Sequence, residues 1–104
     1  MTIKKKNSAM SALEKISGAS LTLGAVLRAI REGEELSLSE FSKKLKITAS
    51  HLCDIEKGRK TVSPERAARF AKILGRSEKQ FVRLSLQDLL NKQEISMIVS
   101  VEAA

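Results

Sequence analysis

Three basic side chains, Lys57, Arg59 and Lys60, lie close together at the end of a short amphipathic segment. Lysine and arginine bind phosphate oxygens through charge and hydrogen bonds. Lys43 and Lys44 form a second basic pair in the preceding segment. These five cations could contact a polyanion such as a nucleic-acid backbone, although most basic clusters of this size are only solvated surfaces.

Catalytic and metal-binding chemistry finds little support in the residue types. Cys53 is the single cysteine and His51 the single histidine, so neither an intrachain disulfide nor a cysteine-based zinc site can form. There is no glycine-rich phosphate loop and no His–carboxylate or His–Cys pair at catalytic spacing. We therefore expect no enzymatic activity, no metal and no cofactor. Redox sensing by Cys53 is a minor alternative, because the adjacent Asp54 disfavours a thiolate.

Composition limits the class of protein further. The chain has 104 residues, of which 42% are hydrophobic and 30% charged, as expected of one small globular domain. No apolar run approaches the roughly 18–20 residues of a membrane span, and no signal-peptide core follows the basic residues Lys4–Lys6. These features predict a cytoplasmic protein without a membrane partner.

The net charge of +7 is unevenly distributed along the chain. Residues 21–93 carry 15 basic and 9 acidic side chains, whereas the last eleven residues carry two acids and no base. A basic body of this kind favours a polyanionic partner, with nucleic acid ahead of an acidic protein or a membrane surface.

Five amphipathic segments between Thr22 and Lys92 predict an all-α domain. The first has Leu23, Val26, Leu27 and Ile30 on one helical face. Capping residues begin the next four segments, and glycines suited to a helix C-terminus close several of them. The predicted caps are Ser37, Thr48, Ser63 and Ser77, and the predicted stops are Gly33, Gly58 and Gly75.

Two segments flank this predicted domain. Residues 1–21 are polar, small and basic, and we interpret them as a flexible basic arm. Residues 93–104 form a tail in which Ile95, Met97, Val99 and Val101 alternate with other residues, a period typical of a β-strand. An otherwise helical chain offers such a strand no ladder, so we expect pairing with another chain. A frayed extension of the last helix is the alternative.

The second and third predicted helices, Ser37–Leu45 and Thr48–Lys57, are separated only by Lys46 and Ile47. This is the geometry of a helix-turn-helix, whose second helix enters a DNA major groove. On a helical wheel of that helix, Leu52, Ile55 and Glu56 point inward and Ser50 lies on the opposite face.

The run LSLSEFSKKLKITASHLCDIEKGRKTVSPERAARFAKILG resembles the XRE (Cro/cI-like) helix-turn-helix family of bacterial and phage regulators. The resemblance covers about residues 22–92 and implies a five-helix, lambda-repressor-like DNA-binding domain. It further implies a sequence-specific regulator of transcription, a repressor that binds a palindromic operator in double-stranded DNA as a homodimer. A member of this family would be bacterial or phage in origin and nucleoid-associated when bound.

The resemblance also implies roles for individual residues. Those at base-reading positions are Ala49, Ser50, His51 and Asp54. Those at phosphate-binding positions are Arg59, Lys60 and Thr61. Lys57, Lys43 and Lys44 are further candidate phosphate contacts because of their charge and their location beside the recognition helix. Arg31 and Glu56 occupy the positions of an ion pair that ties the first helix to the recognition helix. Three residues depart from the family pattern: Leu38, Ser42 and Lys46, the last of which replaces the usual turn glycine.

The fifth helix and the tail have more apolar residues than one small core can bury, so we predict a dimer interface there. Its candidate residues are Phe81, Leu84, Leu86, Leu89, Leu90, Ile95, Met97, Val99 and Val101. In such a dimer the two recognition helices could meet half-sites about 34 Å apart.

An antitoxin of a type II toxin–antitoxin pair is the alternative function. The run Gly24–Arg28 and the pattern Ser77-x-x-x-Phe81-x-x-Leu84 resemble HigA-type antitoxins, which bind a ribonuclease toxin and repress their own operon. Ordinary helix packing would explain the same residues.

Overall fold

The computed structural model describes residues 2–5 and 21–104, which form five α-helices and two short strands. The elements in chain order are β1 (Thr2–Lys5), α1 (Leu23–Gly33), α2 (Leu38–Leu45), α3 (Ala49–Glu56), α4 (Pro64–Leu74), α5 (Glu78–Lys92) and β2 (Met97–Ser100). The prediction of a five-helix domain is confirmed. In the described part of the chain, no helix is long and apolar enough to cross a membrane. Apart from β1, the arm predicted for residues 1–21 lies almost entirely outside the described residues.

Local capping explains where the short helices begin and end. Ser37 and Glu40 form the predicted capping box of α2, with each side chain accepting a hydrogen bond from the other residue's backbone N–H at 3.0 Å. The turn into α3 is made by Lys46, whose φ of 61° lies in the left-handed region. Lysine therefore adopts the strained backbone conformation that the missing turn glycine would take without cost.

One continuous hydrophobic core joins all five helices. Phe41, Leu52, Phe70 and Leu27 are fully buried at its centre. Ser42 is also buried, and its hydroxyl donates to the carbonyl of Ser39 at 2.9 Å, so the polar group has a partner. The core therefore holds α2 and α3 at a defined angle.

Gly24 permits a close approach between α1 and α3. A Cβ atom placed on Gly24 would lie 2.0 Å from the carbonyl oxygen of Ile55 and 2.9 Å from its carbonyl carbon. No larger residue fits unless the helices separate. By contrast, a Cβ atom on Gly33 would meet nothing within 4 Å. The Gly24 position in the antitoxin-like run is thus explained by helix packing.

The C-terminal tail corrects one sequence-based prediction. Residues Met97–Ser100 do form a strand, but its partner is β1 of the same chain. The two strands are antiparallel, with Thr2 opposite Ser100 and Lys5 opposite Met97. The prediction that another chain must supply the ladder was wrong, because sequence periodicity does not show that the two ends of the chain meet.

The other edge of β2 is held by a side chain of α5. Buried Gln87 accepts a hydrogen bond from the N–H of Val99 at 2.8 Å and donates to the carbonyl of Met97 at 2.7 Å. Alternate residues of an antiparallel strand direct their backbone groups to the same edge. The groups of Met97 and Val99 that bind Gln87 therefore lie on the edge of β2 that faces away from β1. Gln87 therefore fastens the two-stranded sheet to the domain and occupies the edge of β2 that another strand would need.

A half-buried carboxylate, that of Asp88, joins α5 to α1. Asp88 Oδ2 accepts from the N–H of Leu23 at 3.0 Å, which satisfies one free donor at the start of α1. Asp88 Oδ1 is buried without a hydrogen-bond partner among the described residues. Burial raises the pKa of this carboxyl, and the Leu23 N–H partly offsets the effect.

Candidate nucleic-acid interface

The helix α3 separates an apolar inner face from a polar outer face. Leu52 and Ile55 are buried against the core, whereas Ser50 and Lys57 are exposed. The hydroxyl of Thr48 accepts from the backbone N–H of His51 at 3.1 Å and caps the helix. The polar face is thereby presented to solvent on a short, rigid helix.

The position of α3 is also held by an ion pair with α1. Arg31 Nε lies 2.9 Å from Glu56 Oε2 and Arg31 Nη2 lies 3.0 Å from Glu56 Oε1, a bidentate arrangement. Only 5% of the Glu56 side chain is exposed. Hydrogen bonding to Glu56 is the main reason why the pKa of Arg31 is raised. Arg31 also donates from Nη1 to the carbonyl of Leu36 at 3.0 Å, so one guanidinium braces α1, the α1–α2 loop and α3.

The predicted phosphate-binding side chains all lie at the surface. The exposed residues are Lys43, Lys44, Lys57, Arg59, Lys60 and Thr61. Lys44 pairs with Glu34 at 3.5 Å, whereas Lys43 and Lys57 have no ion pair with any residue that the structure describes. The cations therefore differ in how readily each could turn to a new anion.

Of the predicted base-reading residues, Ala49 and Ser50 occupy the first turn of α3, where Ala49 is half-buried and Ser50 exposed. Asp54, one turn later, is engaged within the protein. Its Oδ1 lies 3.6 Å from Arg59 Nη1 and its Oδ2 lies 3.7 Å from Lys60 Nζ. Sequence analysis assigned Asp54 to bases and the two cations to phosphates without showing that they contact one another.

His51 contacts a residue that sequence analysis missed. Arg66, near the start of α4, places Nη1 3.4 Å from His51 Nε2 and 3.5 Å from Nδ1. Because these distances are nearly equal, the guanidinium lies against the ring rather than pointing at one nitrogen. Burial is the main cause of the lowered pKa of His51, followed by the charges of Arg66 and Lys60. The neutral form of the His51 imidazole is thus favoured, and Arg66 adds a further cation next to α3.

No sequence signal could have assigned Arg66 to this site. It lies fifteen residues after His51, on the next helix, and only the packing of α4 brings it there.

The cysteine of α3 is not part of the charged surface. Cys53, next to Asp54 in sequence, is half-buried and its thiol is free. Within residues 2–5 and 21–104, no three His, Cys, Asp or Glu side chains are grouped to hold a metal ion.

Comparison with protein families agrees with this geometry. Residues 22–84, more than half of the chain, match the model of a family described as helix-turn-helix domain. The protein belongs to this family, and its helix-turn-helix indicates a DNA-binding regulator. No match was found among curated proteins or solved structures.

Proposed function

We propose that this protein is a sequence-specific, double-stranded DNA-binding repressor that acts as a dimer on a palindromic operator. The observation that carries the proposal is the outer face of α3, which is exposed and polar and ends in the cations Lys57, Arg59 and Lys60. A helix of this size fits the major groove, and cations at its end would meet the phosphates that border the groove.

The proposed contacts fall into two groups. Four residues would face base edges: Ala49, Ser50, His51 and Asp54. Six residues would bind phosphates: Lys43, Lys44, Lys57, Arg59, Lys60 and Thr61. The Arg31–Glu56 pair would set the angle of α3 without touching DNA. The cation-rich surface supplies affinity that is independent of sequence, so base discrimination must come from the smaller first group.

A test starts from a random pool of duplexes selected by the wild-type protein. We expect enrichment of a palindromic sequence, and binding that weakens steeply as salt rises, since phosphate contacts release counterions. Selection without any enriched sequence, together with no salt-sensitive duplex binding, would refute the proposal.

The proposed dimer depends on the apolar residues that remain at the surface. Phe81 and Leu84 are buried in the core and Val99 is buried within β2, whereas Leu89, Ile95 and Met97 are 42%, 37% and 36% exposed. We expect Leu89→Glu with Met97→Glu to weaken both self-association and operator binding. Sedimentation equilibrium provides the measurement, and a strict monomer at high concentration would exclude this interface.

The antitoxin alternative is supported by a separate apolar groove between α1 and the start of α5. Leu21, Val26, Ala29, Ile30 and Phe81 line it, and Leu21 is 59% exposed. Such a groove suits a protein partner in addition to DNA. Co-expression with the product of an adjacent small reading frame tests this alternative, and failure to form a complex would remove it.

A further inference from the structure

We propose that Asp54 determines specificity by acting as an internal competitor for the cations that would otherwise bind phosphate. This inference rests on the proposed DNA-binding function. In the free protein Asp54 holds Arg59 and Lys60 to itself, and each carboxylate oxygen faces a different cation at 3.6 and 3.7 Å. DNA binding then exchanges the carboxylate for phosphates at both cations.

The backbone places these two cations at Asp54. The chain leaves α3 through Gly58, whose φ of 76° is left-handed, and turns back along the helix. The carbonyl of Asp54 accepts from the N–H of Arg59 at 2.8 Å and from the N–H of Lys60 at 3.3 Å. The backbone N–H groups of Arg59 and Lys60 are thus hydrogen-bonded to Asp54. These bonds keep both residues close to the Asp54 carboxylate whatever the rotamers of their long side chains.

The exposure of the three groups permits the exchange. The side chains of Arg59 and Lys60 are 65% and 58% exposed, whereas that of Asp54 is 24% exposed. Exposed ion pairs at these separations are weak, so phosphate can displace the carboxylate. The cations can turn away, but Asp54 remains on the recognition helix.

The consequence differs between DNA sequences. Once its cations turn to phosphate, Asp54 is an unpaired carboxylate beside a polyanion. It regains a partner only where a base presents an amino donor in the major groove, as cytosine N4 and adenine N6 do. Elsewhere the lost pairs and the repulsion weaken binding, so Asp54 lowers affinity for non-cognate DNA more than for the cognate site.

The neighbouring Lys57 shows what an uncommitted cation would do. It lies at the end of the same helix, and its ammonium has no ion pair with the described residues. Its contribution to phosphate binding should be similar on every sequence. The contrast separates general attraction, supplied by Lys57, from attraction that Asp54 makes conditional on the bases.

The experiment compares Asp54→Asn with Glu102→Gln, which removes the same charge from the exposed C-terminal tail. The probes are a duplex of about 30 base pairs selected from a random pool by the wild-type protein and a shuffled duplex of equal composition. On the shuffled duplex we expect Asp54→Asn to bind about tenfold more tightly than wild type, against less than about twofold for Glu102→Gln. On the selected duplex the gain should stay below about threefold, so the ratio of the two affinities falls.

A cycle with the cations tests the mechanism itself. In the Arg59→Ala/Lys60→Ala background, the gain from Asp54→Asn should fall clearly below its value in the wild-type background, because no retained cation is left to release and only the direct repulsion from DNA remains. An equal gain on both duplexes, or a gain that is undiminished in this background, would overturn the inference. Asp54→Ser provides a second carboxylate-free variant if Asp54→Asn unfolds, as judged by circular dichroism.

The two levels of proposal fail in different ways. If wild type selects no sequence and binds neither duplex in a salt-sensitive manner, the DNA-binding function is refuted and this inference with it. If wild type discriminates between the duplexes but Asp54→Asn leaves the ratio unchanged, only the role of Asp54 is refuted.

Discussion

Two acids on the same helix, Glu56 and Asp54, stand in opposite environments two residues apart. Glu56 is 5% exposed and bonded bidentately to Arg31 at 2.9 and 3.0 Å. Asp54 is 24% exposed and faces two exposed cations, Arg59 and Lys60, at 3.6 and 3.7 Å. The inner pair therefore serves the fold, while the outer group of charges is more exposed and more widely spaced, as the proposed exchange with phosphate requires.

The largest effect is expected from breaking the inner pair. Glu56→Ala should destabilise the protein by about 3 kcal/mol, because it leaves a largely buried guanidinium without its carboxylate. Chemical denaturation followed by circular dichroism measures the change. Asp54→Ala should cost less than about 1 kcal/mol, since exposed pairs contribute little. Equal losses for the two variants would contradict the division into structural and exchangeable acids.

The close contact between α1 and α3 at Gly24 gives the next prediction. Gly24→Ala should cost about 2 kcal/mol, because its methyl group would overlap the Ile55 carbonyl and push α1 from α3. Gly33→Ala is the matched control on the same helix and should be neutral or stabilising by up to about 1 kcal/mol. Thermal unfolding of both variants measures the difference. A Gly24→Ala protein as stable as wild type would contradict the prediction.

A third acid, Asp88, sharpens the comparison because it is half-buried and has no ion pair with any residue that the structure describes. Its raised pKa means that the folded state keeps a proton that the unfolded state releases above about pH 4. The stabilising contribution of this proton is present below that pH and is lost as pH rises through the folded-state pKa.

Asp88→Asn keeps an acceptor for the Leu23 N–H and removes the buried charge. Relative to wild type, we expect a gain of up to about 1 kcal/mol at pH 7 that shrinks towards pH 4, moderated by partial solvent access. Urea unfolding at several pH values measures it. If the difference in stability between Asp88→Asn and wild type did not change with pH, ionisation of Asp88 would not be what destabilises the wild-type protein.

The smallest effect is expected for a single outer cation. Lys57→Ala should weaken binding about fivefold on selected and shuffled duplexes alike and lower the salt dependence by about one phosphate contact. Its stability should stay within about 0.5 kcal/mol of wild type. A loss confined to the selected duplex would instead place Lys57 against a base.

The reach of sequence reasoning differs between local and distant features. The cap at Thr48, the burial of Leu52 and Ile55 and the left-handed Gly58 were all predictable, because each depends on residues within about one helical turn. The pairing of Arg59 and Lys60 with Asp54 was not predicted, although it is nearly as local. It depends on how the loop turns back after Gly58, which residue types alone do not specify.

The sequence by itself determined the five helices, the helix-turn-helix spacing and the location of the basic residues, because periodicity and capping act over a few positions. Only the tertiary structure decided which distant groups meet. It brought β1 to β2, set Gln87 on the free edge of that strand and placed Arg66 against His51. These contacts depend on the packing of the whole core, and that packing separates the buried acid Glu56 from the more exposed acid Asp54.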